Sequence, residues 1–357
     1  MAYRTATTLS VLLLAVVCLT PAVAAPAVAA DIPRTSDGHP DLSGTYDVAT
    51  LTPLQRPSQF GDNLYLTREE AQAIEDAALA RTRSSSEASD PNREAPPEGG
   101  DGSAGAAGNV GGYNSFWIDR GDDTFEIDGR FRTSIIVDPA NGRRPPLTEE
   151  ARERSQARRR PRRANTGEAW WLETGGQGPY DDPELRPNGE RCLLGFGSTA
   201  GPPMLPVLYN NVKTIVQTPD HVMILVEMVH DARIVRMNSE HPSSEIRKWL
   251  GDSIGWWEGD TLVVDTTNFS TKAVRGGSET LHVVERFTRV DKDTLTYEFT
   301  VEDPSRWATS WTGEYPWPAT DTRLYEYACH EANYALGNIL RGARVLEADT
   351  LDAGSGN

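Results

Sequence analysis

Three histidines fall within or at the ends of β-like stretches with a carboxylate close by: His230 before Asp231, His282 three residues before Glu285, and His330 before Glu331. An imidazole changes charge near neutral pH, and a neighbouring carboxylate fixes its tautomer and direction, so such pairs suit general acid/base chemistry. Around His230 the strand period puts Val226, Met228 and His230 on one face and Glu227, Val229, Asp231 and Arg233 on the other. An imidazole that continues an apolar face is either a proton-transfer group in a cavity or a core histidine with one satisfied hydrogen bond. His282 alternates with Val284 and Arg286, while Leu281, Val283, Glu285 and Phe287 share the opposite face. In a sheet that closes on itself, His230, His282 and His330 converge on one cavity, with Asp231, Glu285 and Glu331 as orienting carboxylates and Arg132 or Arg286 as an anion contact. Imidazoles backed by carboxylates also make metal centres. No short fixed ligand spacing marks one here, so the reading is metal-free and needs no cofactor.

Trp117, Trp256, Trp257, Trp307, Trp311, Trp317, Tyr325 and Tyr327 lie in or near the same region. They serve either as core and rim packing or as the wall of a pocket for an apolar ligand. On the second reading Trp117, Trp257, Tyr325 and Tyr327 join Arg132 and Arg286 as ligand contacts. The chain has no Gly-x-Ser-x-Gly elbow, no Walker loop, no His-Glu-x-x-His and no dinucleotide fingerprint in a strand-to-helix setting.

The elements that must hold these residues are mostly strands. Residues 212–218, a Pro219-Asp220 turn and residues 222–229 predict a hairpin, followed by a short strand at 233–237. Trp257-Glu258-Gly259-Asp260 turns into 261–265, and 280–290 pairs with 295–302 across Asp291-Lys292-Asp293. In that last strand Leu295, Tyr297, Phe299 and Val301 face one way and Thr296, Glu298, Thr300 and Glu302 the other, the period of a half-buried antiparallel strand. Further strands are expected at 41–46, 131–137 and 322–329. Helices are expected from the Thr67 and Glu70 capping box to about Arg83, from Thr148 onward, and at the end of the chain with Tyr334, Ile339, Leu340, Ala343 and Leu346 as its apolar positions. Hairpins in succession predict a mainly β fold, an antiparallel meander closing into a barrel or half-barrel with a few peripheral helices.

The organisation expected is a signal peptide at 1–30, a strand and helix at 31–83, a flexible linker at 84–112, the β-rich unit at 113–347 and a tail at 348–357. The first segment carries Arg4, an apolar run from Leu9 to Leu19 and small-residue cleavage sites, the order of an export signal. That places the mature chain in the periplasm or outside the cell. Its removal leaves Cys192 and Cys329, which an oxidising compartment is expected to join. No later apolar run reaches the length of a membrane span. A net charge of −17 disfavours nucleic-acid binding, against which seven arginines between Arg152 and Arg163 form a local basic tract, read as a solvated, partly helical surface.

The strings Asn114-Ser115-Phe116-Trp117, Arg132-Thr133-Ser134-Ile135-Ile136-Val137-Asp138-Pro139, Trp249-Leu250-Gly251-Asp252-Ser253, Trp257 to Phe269, and Tyr327-Ala328-Cys329-His330-Glu331 resemble a widespread group of exported bacterial proteins of uncharacterised function. The resemblance implies export and carries no catalytic role with it. The rhythm around Trp257 is also similar, at the level of fold, to lipocalin-like barrels. Three functions fit these residues: acid/base catalysis (a lyase, isomerase or hydrolase step) on a small, largely apolar molecule; binding of such a molecule without turnover; and an interaction role in the cell envelope. The oligomeric state is not written in the sequence.

Overall fold

The computed structural model describes residues 32–86, 92, 118–158, 168–195, 201–271 and 278–355. The expected signal segment, most of the 84–112 linker, Trp117 and the arginines from 159 to 163 lie outside the described residues. The first part of the chain forms β1 (Gly44–Asp47), α1 (Arg68–Ser85), β2 (Glu126–Ile127), β3 (Arg130–Phe131), β4 (Ile136–Asp138) and α2 (Glu149–Arg158). Next come β5 (Val212–Gln217), β6 (His221–Val226), β7 (Ala232–Met237), β8 (Asp252–Glu258) and β9 (Thr261–Thr267). Finally β10 (His282–Arg289), β11 (Thr294–Glu302) and β12 (Trp311–Pro318) lead to α3 (Tyr334–Ser355).

Alternation along β10, β11 and β12 decides which way the sheet curls. Val283, Phe287, Tyr297, Phe299, Tyr315 and Trp317 are buried on one face. The other face carries cross-strand hydroxyl pairs such as Thr300 with Thr312 at 2.9 Å and Thr261 with Thr288 at 2.8 Å. Wrapping the apolar face inward gives one ten-stranded sheet in the order β1-β5-β6-β7-β8-β9-β10-β11-β12-β4, a half-barrel. Its β1 and β12 sides approach at one bridge, Tyr46 to Ala319. The inside is filled rather than hollow. Met204, fully buried, is fixed there by its backbone, with its N–H donating to Tyr297 Oη at 3.0 Å and its carbonyl accepting from Tyr315 Oη at 2.7 Å.

Several expectations change in detail. The sheet is antiparallel except where β7 runs parallel to β8, because residues 238–251 cross over to restart beside it. The strand expected at 131–137 is split into β3 and β4. Between them Thr133 N–H donates to the Leu64 carbonyl and Ile135 N–H to the Pro53 carbonyl, so these donors leave the ladder for a neighbouring loop. Residues 322–329 form no strand. The place beside β11 belongs to β12, a strand outside those expected from the sequence. Its Pro316 lacks an N–H, but β4 pairs only with Thr312 and Gly313, so no ladder bond is demanded at that proline.

The helices follow their caps. Thr67 Oγ1 accepts from Glu70 N–H at 3.1 Å while Glu70 Oε2 accepts from Thr67 N–H at 2.8 Å, closing the expected capping box of α1. Thr148 Oγ1 accepts from Ala151 N–H at the start of α2. α3 is mostly exposed and packs through Ala343 and Leu346 on Trp170, Trp171 and Tyr180. Among the described residues no helix is long and apolar enough to cross a membrane.

Candidate functional site

The hairpin from β6 to β7 does not continue as a strand through His230. After Val226 the chain makes a single 3-10 turn, Met228–His230, in which Val229 has φ 60 and ψ 16 and His230 has φ 45. Both are in the left-handed region, and a β-branched residue there is strained, at about 1–3 kcal/mol. The surroundings hold the turn in place. Val229 is 6 % exposed in the core, Val226 N–H donates to the Asp231 carbonyl at 2.8 Å, and Glu227 N–H donates to the Val212 carbonyl at 3.1 Å. His230 is therefore exposed at the rim, and it does not continue the apolar face of Val226 and Met228.

Asp231 is the group this turn perturbs. Its Oδ2 is buried with no hydrogen-bond partner, and burial pushes its carboxyl up from 3.8 to about 6, the charge of His230 pulling the other way. The segment around Cys329 lies over the turn. Tyr325 N–H donates to Glu227 Oε1 at 3.0 Å, and His230 Nδ1 is 3.3 Å from the Tyr327 carbonyl. Cys192 and Cys329 are joined as expected, Cα to Cα 5.7 Å, which ties this segment to the loop at 190–195.

Beside the turn, the inner face carries buried charge. Lys213 is opposite Val226 in the ladder and fully buried. Burial pushes its amine down from 10.5 to about 7, with Asp47 and Glu227 opposing and Arg233 adding to the fall. Arg233, two residues beyond Asp231, makes a two-pronged contact with Glu285, at 2.5 Å from Nη1 and 2.9 Å from Nη2. Burial alone lowers Arg233; the Glu285 carboxylate outweighs it and leaves the guanidinium above its ordinary range. Tyr297 Oη donates to Glu285 at 2.7 Å and completes the carboxylate's shell. This paired, enclosed network has the geometry of a structural ion pair.

The outer face of the same strands carries a chain of imidazoles and carboxylates. His282 Nε2 lies 2.7 Å from Asp265 Oδ2 and its Nδ1 3.1 Å from Glu302 Oε2. His241 Nε2 lies 2.9 Å from Asp265 Oδ1 and its Nδ1 3.0 Å from Asp252 Oδ1, and Asp252 also accepts from Arg236 and Lys248. An imidazole donates through both nitrogens only as imidazolium. The hydrogen bond to Asp265, helped by Glu302 and opposed by burial, raises His282 from 6.5 to about 9. Burial pushes Asp265 up, but the bonds from His282 and His241 prevail and hold it below the usual carboxylate range. His282 thus holds its proton at neutral pH and is a poor base there. Among the described residues no group of three or more His, Cys, Asp or Glu is placed to hold a metal ion.

The expected convergence of three histidines is not what the fold makes. Among the described residues no hydrogen bond or ion pair links His230, His282 and His330. The carboxylates on His282 are Asp265 and Glu302, because Glu285 points to the opposite face and pairs with Arg233. His330 and Glu331 are exposed beyond Cys329. Arg132 is engaged by Glu314 at 2.8 Å and Arg286 by Glu258 at 2.7 Å. Trp257 stacks on His39 with ring centroids 4.5 Å apart, Tyr325 is 71 % exposed, and Tyr327 packs against the core. His230 and Asp231 do sit together at an accessible rim. Sequence reasoning missed Lys213, Asp252, Asp265 and His241. Lys213 was legible, since it shares the inward period of Ile215; His241 was not, because it reaches the sheet from a long loop without periodicity. No protein-family model matches the chain, and no curated protein matches its sequence.

Proposed function

We propose that this chain is an exported acid/base enzyme that acts on a small, largely apolar organic molecule at the rim where β6 turns into β7. Asp231 is the proton-transfer group and His230 exchanges its proton with solvent. The observation that carries the reading is the unpartnered, buried Oδ2 of Asp231, held near pH 6 by a turn with two consecutive left-handed residues. Strain of this kind persists only where the surroundings impose it, and a carboxyl poised near the working pH is what general acid/base catalysis requires. The bridged segment carrying Tyr325 and Tyr327 forms a wall of the site. The same bridge supports an oxidising, extracytoplasmic setting.

The test is incubation of the purified chain with a metabolite extract, followed by mass spectrometry of what disappears. Parent protein is expected to deplete at least one compound, and Asp231→Asn to slow that turnover by about 10²-fold or more. The parent rate should break near pH 6. A variant within about threefold of the parent would exclude Asp231 from catalysis. A compound retained without change would replace the enzyme by the binding reading. Stability gives an independent readout. A carboxyl raised from 3.8 to about 6 costs the fold nothing below pH 4 and most above pH 6. Asp231→Asn should therefore be neutral at pH 4 and stabilising by about 1–2 kcal/mol at pH 8, after discounting for partial exposure.

A further inference from the structure

The bridge between Cys192 and Cys329 joins two segments of unequal build. On the Cys192 side a tight turn closes with Leu193 N–H on the Asn188 carbonyl at 3.0 Å and Cys192 N–H on the Gly189 carbonyl at 3.3 Å, and Cys192 itself lies in the left-handed region at φ 58. Arg186 grips Glu190 through two hydrogen bonds, at 2.8 and 3.0 Å, and both Cys192 and Leu194 are buried. A residue other than glycine stays at such a φ only where its neighbours hold it, so this half of the bridge is fixed by its own turn. The Cys329 half is different. Residues 321–333 contain no helix or strand, most of their side chains are exposed, and Cys329 is only partly buried. Its N–H reaches no farther than the Tyr327 carbonyl, at 2.8 Å.

The two sulfurs also differ chemically. Asn333 stands just before α3, and its Oδ1 accepts from Leu336 N–H at 3.3 Å, which fixes the direction of the amide. Its Nδ2 therefore faces the Glu190 carbonyl, at 2.8 Å, and Cys192 Sγ, at 3.3 Å. Among the described residues no donor reaches Cys329 Sγ. A hydrogen bond to a sulfur favours its thiolate form, and in thiol–disulfide exchange the sulfur that is the better thiolate leaves faster. Attack is thus directed to the partly exposed Cys329, with Cys192 as the leaving group. A segment with few contacts of its own also does not keep the freed Cys329 thiol beside Cys192, which favours the open form once it is made.

We propose that the Cys192–Cys329 bridge is an exchange site for a dithiol reductant, a switch that releases residues 321–333 from the rim at the β6–β7 turn. A thiolate of the reductant attacks Cys329 Sγ, the S–S bond breaks, and Cys192 leaves as a thiolate held by the Asn333 amide. The second thiol of the reductant then attacks the mixed disulfide and frees Cys329. The reductant ends as a disulfide, and its two electrons and two protons end on the two cysteines. The segment touches the turn through Tyr325 N–H on Glu227 and the Tyr327 carbonyl beside His230, so its release uncovers that turn. Exchange at the bridge needs no substrate and is tested apart from the role given to Asp231.

The folded, oxidised chain is incubated in glutathione without denaturant, free thiols are alkylated, and the peptides are mapped by mass spectrometry. Glutathione is expected on Cys329, with Cys192 alkylated as the free thiol. Dithiothreitol should then reduce the bridge completely, and amide exchange should accelerate in 321–333 while β10 and β11 keep their protection. Asn333→Ser keeps a side-chain oxygen for Leu336 N–H and loses the donor to Cys192 Sγ, so it should slow reduction by dithiothreitol about fivefold or more. The mapping and the amide exchange of the parent decide even where that variant does not fold. The proposal fails if the bridge stays intact until urea is added, or if glutathione is found on Cys192. It fails equally if reduction leaves 321–333 protected, if β10 and β11 open with that segment, or if a folded Asn333→Ser is reduced at the parent rate.

Discussion

At the scale of single residues, one imidazole carries a sign that can be measured. His282 is raised from 6.5 to about 9, so its contribution to folding is complete below pH 6.5 and is lost as the pH rises through 9. Lys213 acts in the opposite sense: an amine lowered to about 7 costs stability at low pH and ceases to do so as the pH rises. The slope of the parent protein alone therefore mixes the two, and the informative quantity is its difference from His282→Gln. Between pH 6 and pH 9.5 the parent should lose about 1–2 kcal/mol relative to that variant, the full shift being reduced because the His282 side chain is 32 % exposed. Urea midpoints at the two pH values measure it, and parallel curves would mean that the bonds to Asp265 and Glu302 contribute nothing. The sequence places His282 on its strand and suggests Glu285 as its carboxylate. Period two forbids that choice, because residues three apart lie on opposite faces, and Asp265 could be paired with it only once the strand order was known.

Among the elements, β12 shows how closely the inner face is filled. A Cβ on Gly313 would stand 2.5 Å from Phe299 Cζ and 3.1 Å from Ile135 Cγ2. Gly313 faces Phe299 across the ladder, and the register shifts between Thr312 and Gly313 where β4 joins. Gly313→Ala is therefore expected to destabilise by about 1–3 kcal/mol, the usual cost of forcing a methyl into a packed core. Gly337→Ala is the contrast. It lies in α3 with nothing within 4 Å of the added carbon, and it should be neutral or stabilising by up to about 1 kcal/mol. Equal effects of the two, measured by urea unfolding, would show that the crowding at Gly313 relaxes freely.

Over the whole molecule, the Cys192–Cys329 bridge spans 137 residues and fixes a segment without regular secondary structure. Residues 321–333 are otherwise held by a few bonds, among them Tyr325 to Glu227 and Asn333 Nδ2 to the Glu190 carbonyl at 2.8 Å. Replacing both cysteines by serine should cost about 2–5 kcal/mol, because so long a loop loses much entropy on closure. Amide exchange should accelerate in 321–333 before it does in β10 and β11. A double variant with an unchanged urea midpoint and unchanged exchange would show that the segment is seated by its own contacts.

The sequence by itself determined the fold class, the inner and outer faces of β10 and β11, the capping of α1 and the pairing of the two cysteines, since each follows from a local period, a cap or a count. It also singled out His230 and Asp231, which are adjacent in the chain and need no folding to meet. Only the tertiary structure decided the rest. The left-handed turn that exposes His230 and buries an oxygen of Asp231 depends on the core around Val229. The chain from Glu302 through His282, Asp265 and His241 to Asp252 joins four strands and a loop. The Asn333 amide that meets Cys192 Sγ unites positions 141 residues apart. Spacing along a chain encodes a face, whereas contact between faces depends on strand order and on how the sheet curls.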